Sequence, residues 1–369
     1  MRKRICCFCE RWETGGIESF LSNVLARLSP EEFELDVVAA CVKPSVFTEN
    51  LEKCGIRFIQ LSGHPRKQLK NNREFRVLLR ERHYDVVYLN LFQGLSLWYG
   101  RIAQKEGVPV RIVHCHTNTL RKSFGRALKL SVHFAACALL GSCATRRWAC
   151  SGESGKFMFG KHADVRFIPN GIDVDRFKFD DATRRQVREE LGASDTFVVG
   201  NVGRLCVQKN QSFLLDVFKE LVNRRPDSML LLIGEGEGNA RKELEEKAES
   251  LGISDKVLFY GVTDHVERFM WAMDVFAFPS VFEGLGIVAV EAQAAGLPVV
   301  ASEEVPNEAV VSDLMKRYPL GDPGRWAELL LAAEKKENTD ACAQVRAAGF
   351  DINDVAKLIG RSLRGERAE

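Results

Sequence analysis

The sequence predicts an α/β fold of two Rossmann-like, doubly wound domains facing across a cleft. Three observations carry that prediction. Short apolar, β-branched runs alternate with stretches whose apolar residues recur at helical spacing. The alternation restarts after a Pro and Asn-Gly turn near residue 170. The charge changes sign at the same place: residues 1–165 hold 26 Lys+Arg against 15 Asp+Glu, and residues 166–369 hold 26 against 35. A basic half joined to an acidic half suggests that the first half meets something anionic.

The elements follow in order. RICCFC is a short strand candidate, and GIESFLSNVLARLS places Ile17, Phe20, Leu21, Val24, Leu25 and Leu28 on one helical face. FELDVVAAC, IRFIQLS, VVYLN and VRIVHCH are further strands, separated by helical stretches such as FRVLLRERH and LSLWYGRIAQKEG. Strands alternating with helices imply a parallel sheet covered on both faces. In the second half FVVGNVG, MLLLIG, VLFYG, VFAFPS and PVVAS read as strands. FLLDVFKELVNRR, ARKELEEKAESLG and HVERFMWAM read as the helices between them. A helix is expected over residues 326–336, and a terminal helix near 355–363. RFIPNGIDVDRF, residues 166–177, is taken as the linker between domains 1–170 and 171–349. In such sheets ligands bind outside the carboxyl ends of the strands, so a site built from both domains is a cleft.

Composition narrows the class. A chain of 369 residues is long for one core and comfortable for two. No run of about 18 uncharged apolar residues occurs, so no membrane span is implied. The start, MRKRICCFCERW, is basic then apolar, but the apolar part is too short for a signal peptide and reads as a strand. Eleven cysteines include one C-x-x-C, Cys6 and Cys9, with no second pair to complete a zinc site. Buried thiols in a reducing, cytoplasmic compartment are the expectation.

Residues 281–302, VFEGLGIVAVEAQAAGLPVVAS, set two carboxylates, Glu283 and Glu291, into an otherwise apolar segment. A helix is expected from near Gly286 through Ala295, closed by Gly296 and Pro298. Glu283 then lies in the strand-to-helix loop and Glu291 inside the helix. The first helical N–H groups, around residues 285–287, favour phosphate. An acid beside a phosphate makes sense as an acceptor for hydroxyl groups. A ligand with both, a nucleotide sugar, is therefore expected. NVGRLCVQKNQ, residues 201–211, adds Arg204 and Lys209 in a loop after a strand, where cations can clamp a diphosphate. Taken alone, such cations are more often merely solvated.

The pattern P-S-x-F-E-G-x-G-I-V-x-V-E-A-x-A-x-G-x-P-V-V-A-S resembles the donor-site motif of retaining, GT-B fold nucleotide-sugar glycosyltransferases, in particular glycosyltransferase family 4. The resemblance implies that Glu283 contacts the transferred sugar and Glu291 the ribose, and that the backbone of Leu285 and Gly286 contacts the diphosphate. Gly203, Gly261, Val262, Gly284 and Ile287 belong to the same expected nucleotide-sugar site. The 201–211 loop is similar to the family's G-R-x-x-x-x-K-N pattern, with Val207 where many relatives carry a small or acidic residue. VRIVHCHTN, residues 110–118, looks like the H-S-H-N segment of capsular and exopolysaccharide members, but has Cys115 for Ser and Thr117 before Asn118. By that resemblance His116 lies near the sugar; a structural histidine is the open alternative. Zinc is not supported, since no further ligand pair follows. Gly15 and Gly16, in ETGGIES, would border the acceptor site and let acceptor or diphosphate approach a helix start.

Rival motifs fall away. IGEGEGNAR lacks the third Gly of a dinucleotide fingerprint, and no phosphate-loop motif of the G-x-x-x-x-G-K-[ST] type occurs. Residues 119–141 are basic early and apolar late. They read equally as a peripheral contact with anionic membrane, peripheral at the inner face of the plasma membrane, or as a core-packed helix with a solvated basic end.

The resemblance implies a glycosyltransferase whose basic N-terminal domain binds a saccharide or lipid-linked acceptor and whose C-terminal domain binds a nucleotide-diphosphate sugar, a UDP-sugar before others. The terminal helix, residues 350–369, is expected to pack back on the first domain. Transfer with retention, by front-face attack, would leave Arg204 and Lys209 on the departing diphosphate. Neither a metal nor another cofactor is expected, and no nucleic-acid partner. An epimerase or phosphorylase of the same fold, or a noncatalytic nucleotide-sugar binder, stays open.

Overall fold

The computed structural model describes residues 2–13, 16–120, 125–236, 238–333 and 340–366. The chain divides into two compact units, residues 1–172 with 349–369, and residues 173–348.

The first unit is built on seven parallel strands: β1 (Lys3–Trp12), β2 (Phe33–Val42), β3 (Arg57–Gln60), β4 (Val86–Leu91), β5 (Val110–Cys115), β6 (Arg146–Ala149) and β7 (Arg166–Phe167). Their order is β3-β2-β1-β4-β5-β6-β7. Successive side chains of β1 go to opposite faces: Ile5 and Cys7 join one apolar core, Cys6 and Phe8 the other. That two-sided burial is why the strand reads as a continuous apolar run rather than an alternating one. All eleven cysteines are free thiols. Burial pushes the Cys7 thiol up to about 12.

The second unit has six parallel strands: β8 (Phe197–Val202), β9 (Ser228–Ile233), β10 (Val257–Gly261), β11 (Val275–Phe278), β12 (Val299–Ser302) and β13 (Met315–Tyr318). The order β10-β9-β8-β11-β12-β13 is the doubly wound Rossmann order, as is that of the first six strands of the other sheet. The chain reverses direction in the sheet between β8 and β11, and between β1 and β4. The loops at the carboxyl ends of those strands therefore carry the candidate residues.

Between the units the chain crosses after Ile172 and returns before Gly349. Ile172 donates to Phe350 O at 2.8 Å and accepts from Ile352 N at 2.9 Å. The terminal helix Ile352–Arg364 then buries Ile352, Val355, Ala356, Ile359 and Leu363 in the first unit's core.

Several elements differ from expectation. β5 ends at Cys115, so His116 follows the strand. The helix expected from Phe75 begins at Gln68, because its first turn is polar and carries no apolar period. Helices Val46–Lys53, Gly152–Phe159, Asp181–Glu190 and Ala341–Ala347, and strands β6, β7 and β13, are elements the pattern did not announce. They are short or polar, and tertiary packing holds them. The helix expected over 326–336 runs Pro323–Ala332, and its last expected residues lie outside the described ones. Among the described residues no helix is long and apolar enough to cross a membrane.

Candidate active site

The second unit brings the acid Glu283 and the cation Lys209 together. Lys209 Nζ lies 2.7 Å from Glu283 Oε1, and both side chains are largely buried. The same ammonium sits 4.8 Å over the ring of Phe278, the last residue of β11. A buried, hydrogen-bonded pair of this kind holds both charges in a low-dielectric setting.

The sequence spacing between these two residues is 74 positions, and a set of side-chain amides closes it. Gln208 donates to Phe282 O at 3.1 Å, and Asn210 donates to Pro279 O at 3.1 Å. Val281 N donates to Gln208 O at 2.9 Å. Gln211, fully buried, donates to Asn201 Oδ1 and Arg204 O and accepts from Cys206 N. These amides were missed in the sequence; the polar run Q-K-N-Q beside a buried strand was the available signal. Gln208 and Asn210 stitch the loop after β8 to the loop after β11, and Gln211 braces the first of these loops from within.

Glycine is required at two places. Gly234 (φ +141°) approaches Gly203 so closely that a Cβ would lie 2.1 Å from Gly203 O. This contact lets the ends of β8 and β9 converge under Arg204, which is itself exposed. Gly286 (φ +87°) caps the helix Ile287–Ala294, and a Cβ there would meet Phe278 Cε1 at 2.9 Å. The helix therefore starts one residue later than its expected first N–H groups. Leu285 and Gly286 precede it, Leu285 buried, and the helix's own first N–H groups are those of residues 287 and 288, since Ala289 N already bonds Gly286 O. Glu283 and Gly284 lie on this same approach to the helix. Gly261 ends β10 with φ +90° and accepts from Gly234 N at 2.8 Å; Val262 after it is exposed.

Glu291 sits in the second turn of that helix, partly open to solvent. Burial pushes its carboxyl up to about 7, with Glu267 adding to the rise and Arg176 and Lys209 opposing it. Arg176 donates to Glu267 Oε2 at 2.9 Å, and His265 Nδ1 lies 3.1 Å from Glu267 Oε1. The segment 174–177 and the helix Val266–Ala272 both pack on the Glu291 helix, so this cluster is its charged surround.

In the first unit, His114 and His116 share one face at the end of β5, with ring centroids 4.0 Å apart. Tyr88 OH bonds His114 Nδ1 at 2.8 Å. Asn90 Oδ1 bonds His116 Nε2 at 3.0 Å, while Asn90 Nδ2 points to Phe8 O, so Nε2 carries the proton. That leaves His116 Nδ1 and His114 Nε2 as buried nitrogens without a partner among the described residues. Burial pushes His116 down to about 3 and His114 well below its usual value, so both stay neutral. A buried imidazole nitrogen without a partner costs free energy unless something supplies a donor. Gly16 opens the helix Gly16–Leu25 with free space where a Cβ would be. Gly15 lies outside the described residues. Among the described residues no three His, Cys, Asp or Glu side chains are placed to hold a metal ion.

Two parallel-sheet Rossmann units, of seven and six strands, are the architecture of the GT-B glycosyltransferases. The family profile "Glycosyltransferase Family 4" matches residues 14–176, and "Glycosyl transferases group 1" matches residues 183–348. EpsF of Bacillus subtilis, named as a glycosyltransferase, is 27% identical over 350 residues, covering 90% of this chain and 88% of that one. The GDP-mannose-dependent alpha-(1-6)-phosphatidylinositol monomannoside mannosyltransferase of Mycolicibacterium smegmatis is 30% identical over 306 residues, 78% of this chain and 76% of that one. Anabaena Alr3699/HepE, crystallised with UDP-glucose, shares the fold with a TM-score of 0.82 at 24% identity, over 98% of this chain and 99% of that one. The chain belongs to the group 1 glycosyltransferases of glycosyltransferase family 4.

Proposed function

We propose that the protein transfers a sugar from a nucleotide-diphosphate sugar, UDP before other bases, to a lipid-linked saccharide. The reaction retains the donor's configuration, needs no metal, and serves synthesis of an exopolysaccharide, capsule or other cell-surface glycan. The observation that carries this reading is the buried Lys209–Glu283 pair beside the start of the helix Ile287–Ala294. The pair offers an ammonium to a phosphate and a carboxylate to sugar hydroxyls within one small volume. A structural neighbour's complex with UDP-glucose and a relative that acts on a phosphatidylinositol monomannoside support the donor and acceptor classes.

Each residue then has a part. Arg204 and Lys209 hold the diphosphate as it departs, and the N–H groups from Leu285 to Val288 share its charge. Glu283 accepts hydroxyls of the transferred sugar, and Glu291 accepts those of the ribose. His116, neutral, offers Nδ1 to a sugar hydroxyl and does not transfer a proton. The acceptor attacks on the face the diphosphate leaves, and a diphosphate oxygen takes the acceptor's proton. Lys209, Arg204 and the helix start supply the positive charge that a metal supplies elsewhere. Peripheral contact of residues 119–141 with a membrane belongs to the same reading.

The test begins with calorimetric binding of UDP, GDP and ADP in EDTA, to the parent and to Glu291→Ala. One nucleotide should bind the parent and lose affinity in the variant. The sugar nucleotides of that base are then supplied with a lipid-linked saccharide, and the product's anomeric configuration is read by NMR. An inverted product, or turnover only with added divalent metal, would contradict the mechanism; no nucleotide binding would remove the donor-site reading.

A further inference from the structure

Well-covered carboxylates in this chain meet cations. Asp36, Glu106, Glu267, Asp274 and Glu283 each lie 2.6–3.2 Å from an Arg or Lys. Glu10, near the carboxyl end of β1, is different. It is partly covered, and among the described residues its two hydrogen-bond partners are neutral. Ser96 Oγ donates to Glu10 Oε1, and Gln93 Nε2 donates to Oε2 at 3.3 Å. Burial pushes the carboxyl up, against the pull of these two donors and of Arg11. Covering an acid without a cation is unfavourable unless further donors complete its shell. Glu291, assigned above to ribose hydroxyls, has a carboxyl raised by burial in the same way.

The topology leaves room at this point. β1 pairs with β4 no further than Cys9 opposite Asn90, so Glu10 is the first residue after β4 has left it. These are the strands between which the chain reverses direction in the sheet, and such a switch point opens a crevice at the carboxyl ends. By alternation Glu10 continues the face of Cys6 and Phe8. Phe8 packs on Tyr99 there, with ring centroids 4.1 Å apart. His116 belongs to the other face, its ring centroid 6.0 Å from that of Phe20 in the core of Ile5 and Cys7. Glu10 and the imidazole pair are thus two separate places, with β4 between their strands.

A carboxylate has about four acceptor positions, and Ser96 and Gln93 fill two. Glu10 and Gln93 both remain partly open to solvent. Two unfilled acceptor positions on one carboxylate match hydroxyls on neighbouring carbons of a sugar ring. A uronic acid would instead set a second carboxylate against the first, where no cation offsets it.

We propose that Glu10, with Gln93 and Ser96, forms a second saccharide subsite, which accepts two neighbouring hydroxyls of a neutral sugar and turns uronic acids away. Only the assignment of that sugar to the acceptor, as a unit apart from the one that reacts, rests on the proposed function.

The test is saturation-transfer NMR of the full chain with the methyl glycosides of glucose, galactose, mannose and N-acetylglucosamine, and with methyl glucuronide. It is run at about pH 8, so that a raised acid is ionised. At least one neutral glycoside should bind the parent, and the glucuronide should not. Glu10→Gln should weaken the neutral glycoside about tenfold and narrow its advantage over the glucuronide, which loss of packing alone would not do. Gln93→Ala, at a half-exposed side chain, should cost about threefold, and it reads the same subsite should Glu10→Gln fail to fold. A parent that binds none of the neutral glycosides, that binds glucuronide equally, or whose affinities are unchanged in both variants would overturn the proposal. A parent that binds no UDP, GDP or ADP but keeps glycoside binding that depends on Glu10 would instead remove the donor-site reading and leave this one standing.

Discussion

The two units share a strand order, yet the residues at the carboxyl ends of their sheets have opposite electrostatic character. In the second unit a carboxylate and an ammonium sit 2.7 Å apart, and a third charge, Glu291, lies beside an Arg–Glu–His cluster. In the first unit two imidazoles, kept neutral by burial, present nitrogens without partners among the described residues. The scaffold sets where a ligand binds, and the side chains set what it can be. Fixed charges suit a diphosphate; neutral acceptors suit hydroxyl groups.

The comparison breaks most sharply at Glu283. Glu283→Gln should lower transfer by about a thousandfold, since a group that contacts the reacting sugar acts mainly in the transition state. Nucleotide affinity should change little, whereas Glu291→Ala should show the reverse split between kcat and binding. If Glu283→Gln turns over like the parent, the charged end of the molecule is structural.

Lys209→Met comes next. Transfer should fall about a hundredfold through lost stabilisation of the diphosphate. The same change leaves Glu283 buried without its partner, which should cost about 2–3 kcal/mol in urea unfolding. Adding Glu283→Gln to Lys209→Met should recover most of that stability and none of the activity. Failure of the double variant to regain stability would show that the pair is not coupled in the folded protein.

These charged residues were legible in the sequence because their motif is local. Glu283, Gly286 and Glu291 fall within nine residues, on one strand–loop–helix unit whose period announces itself. Arg204 and Lys209 follow a strand with the same clarity. The contact between Lys209 and Glu283 was not legible, because it is set by Gln208 and Asn210, which bond the loop after β11 from the loop after β8. The same limit holds for the first unit. His114 and His116 alternate as a strand requires, but their protonation is set by Tyr88 and Asn90, one strand away. Parallel, doubly wound sheets followed from alternation, while β6, β7 and β13 were hidden because they are short and polar. The helix Arg126–Leu140 had two readings because its apolar content fits burial and membrane contact equally; the structure buries only His133 and Ala136 along it.

On the neutral side, His116→Ala should reduce transfer by about tenfold, the scale of one hydrogen bond to an uncharged acceptor. His116→Asn, which restores an acceptor, should recover part of it. Because His116 stays neutral down to about pH 3, the variant should alter the size of the rate and not the shape of its pH profile above pH 5. A changed profile there would mean that the imidazole carries a proton in the reaction.

The smallest effect sharpens the comparison at Glu291, the charge that titrates in the working range. Burial holds its carboxyl near 7, above the ordinary 4.5, with Arg176 and Lys209 pulling it down and Glu267 pushing it up. A raised acid contributes stability below its unfolded value and loses that contribution as pH climbs through 7. The parent should therefore lose stability between about pH 4.5 and 7, and Glu291→Gln should flatten that slope. Nucleotide binding has the opposite sign. Ribose hydroxyls donate to the carboxylate, so the bound form favours ionisation and affinity should rise with pH. Between about pH 6.5 and 7.5 the gain should be roughly threefold, with about half a proton released on binding at pH 7. Calorimetry in buffers of different ionisation enthalpy reads that proton directly. Proton uptake, or none, would place the ribose away from Glu291 and move the nucleotide elsewhere on the second sheet.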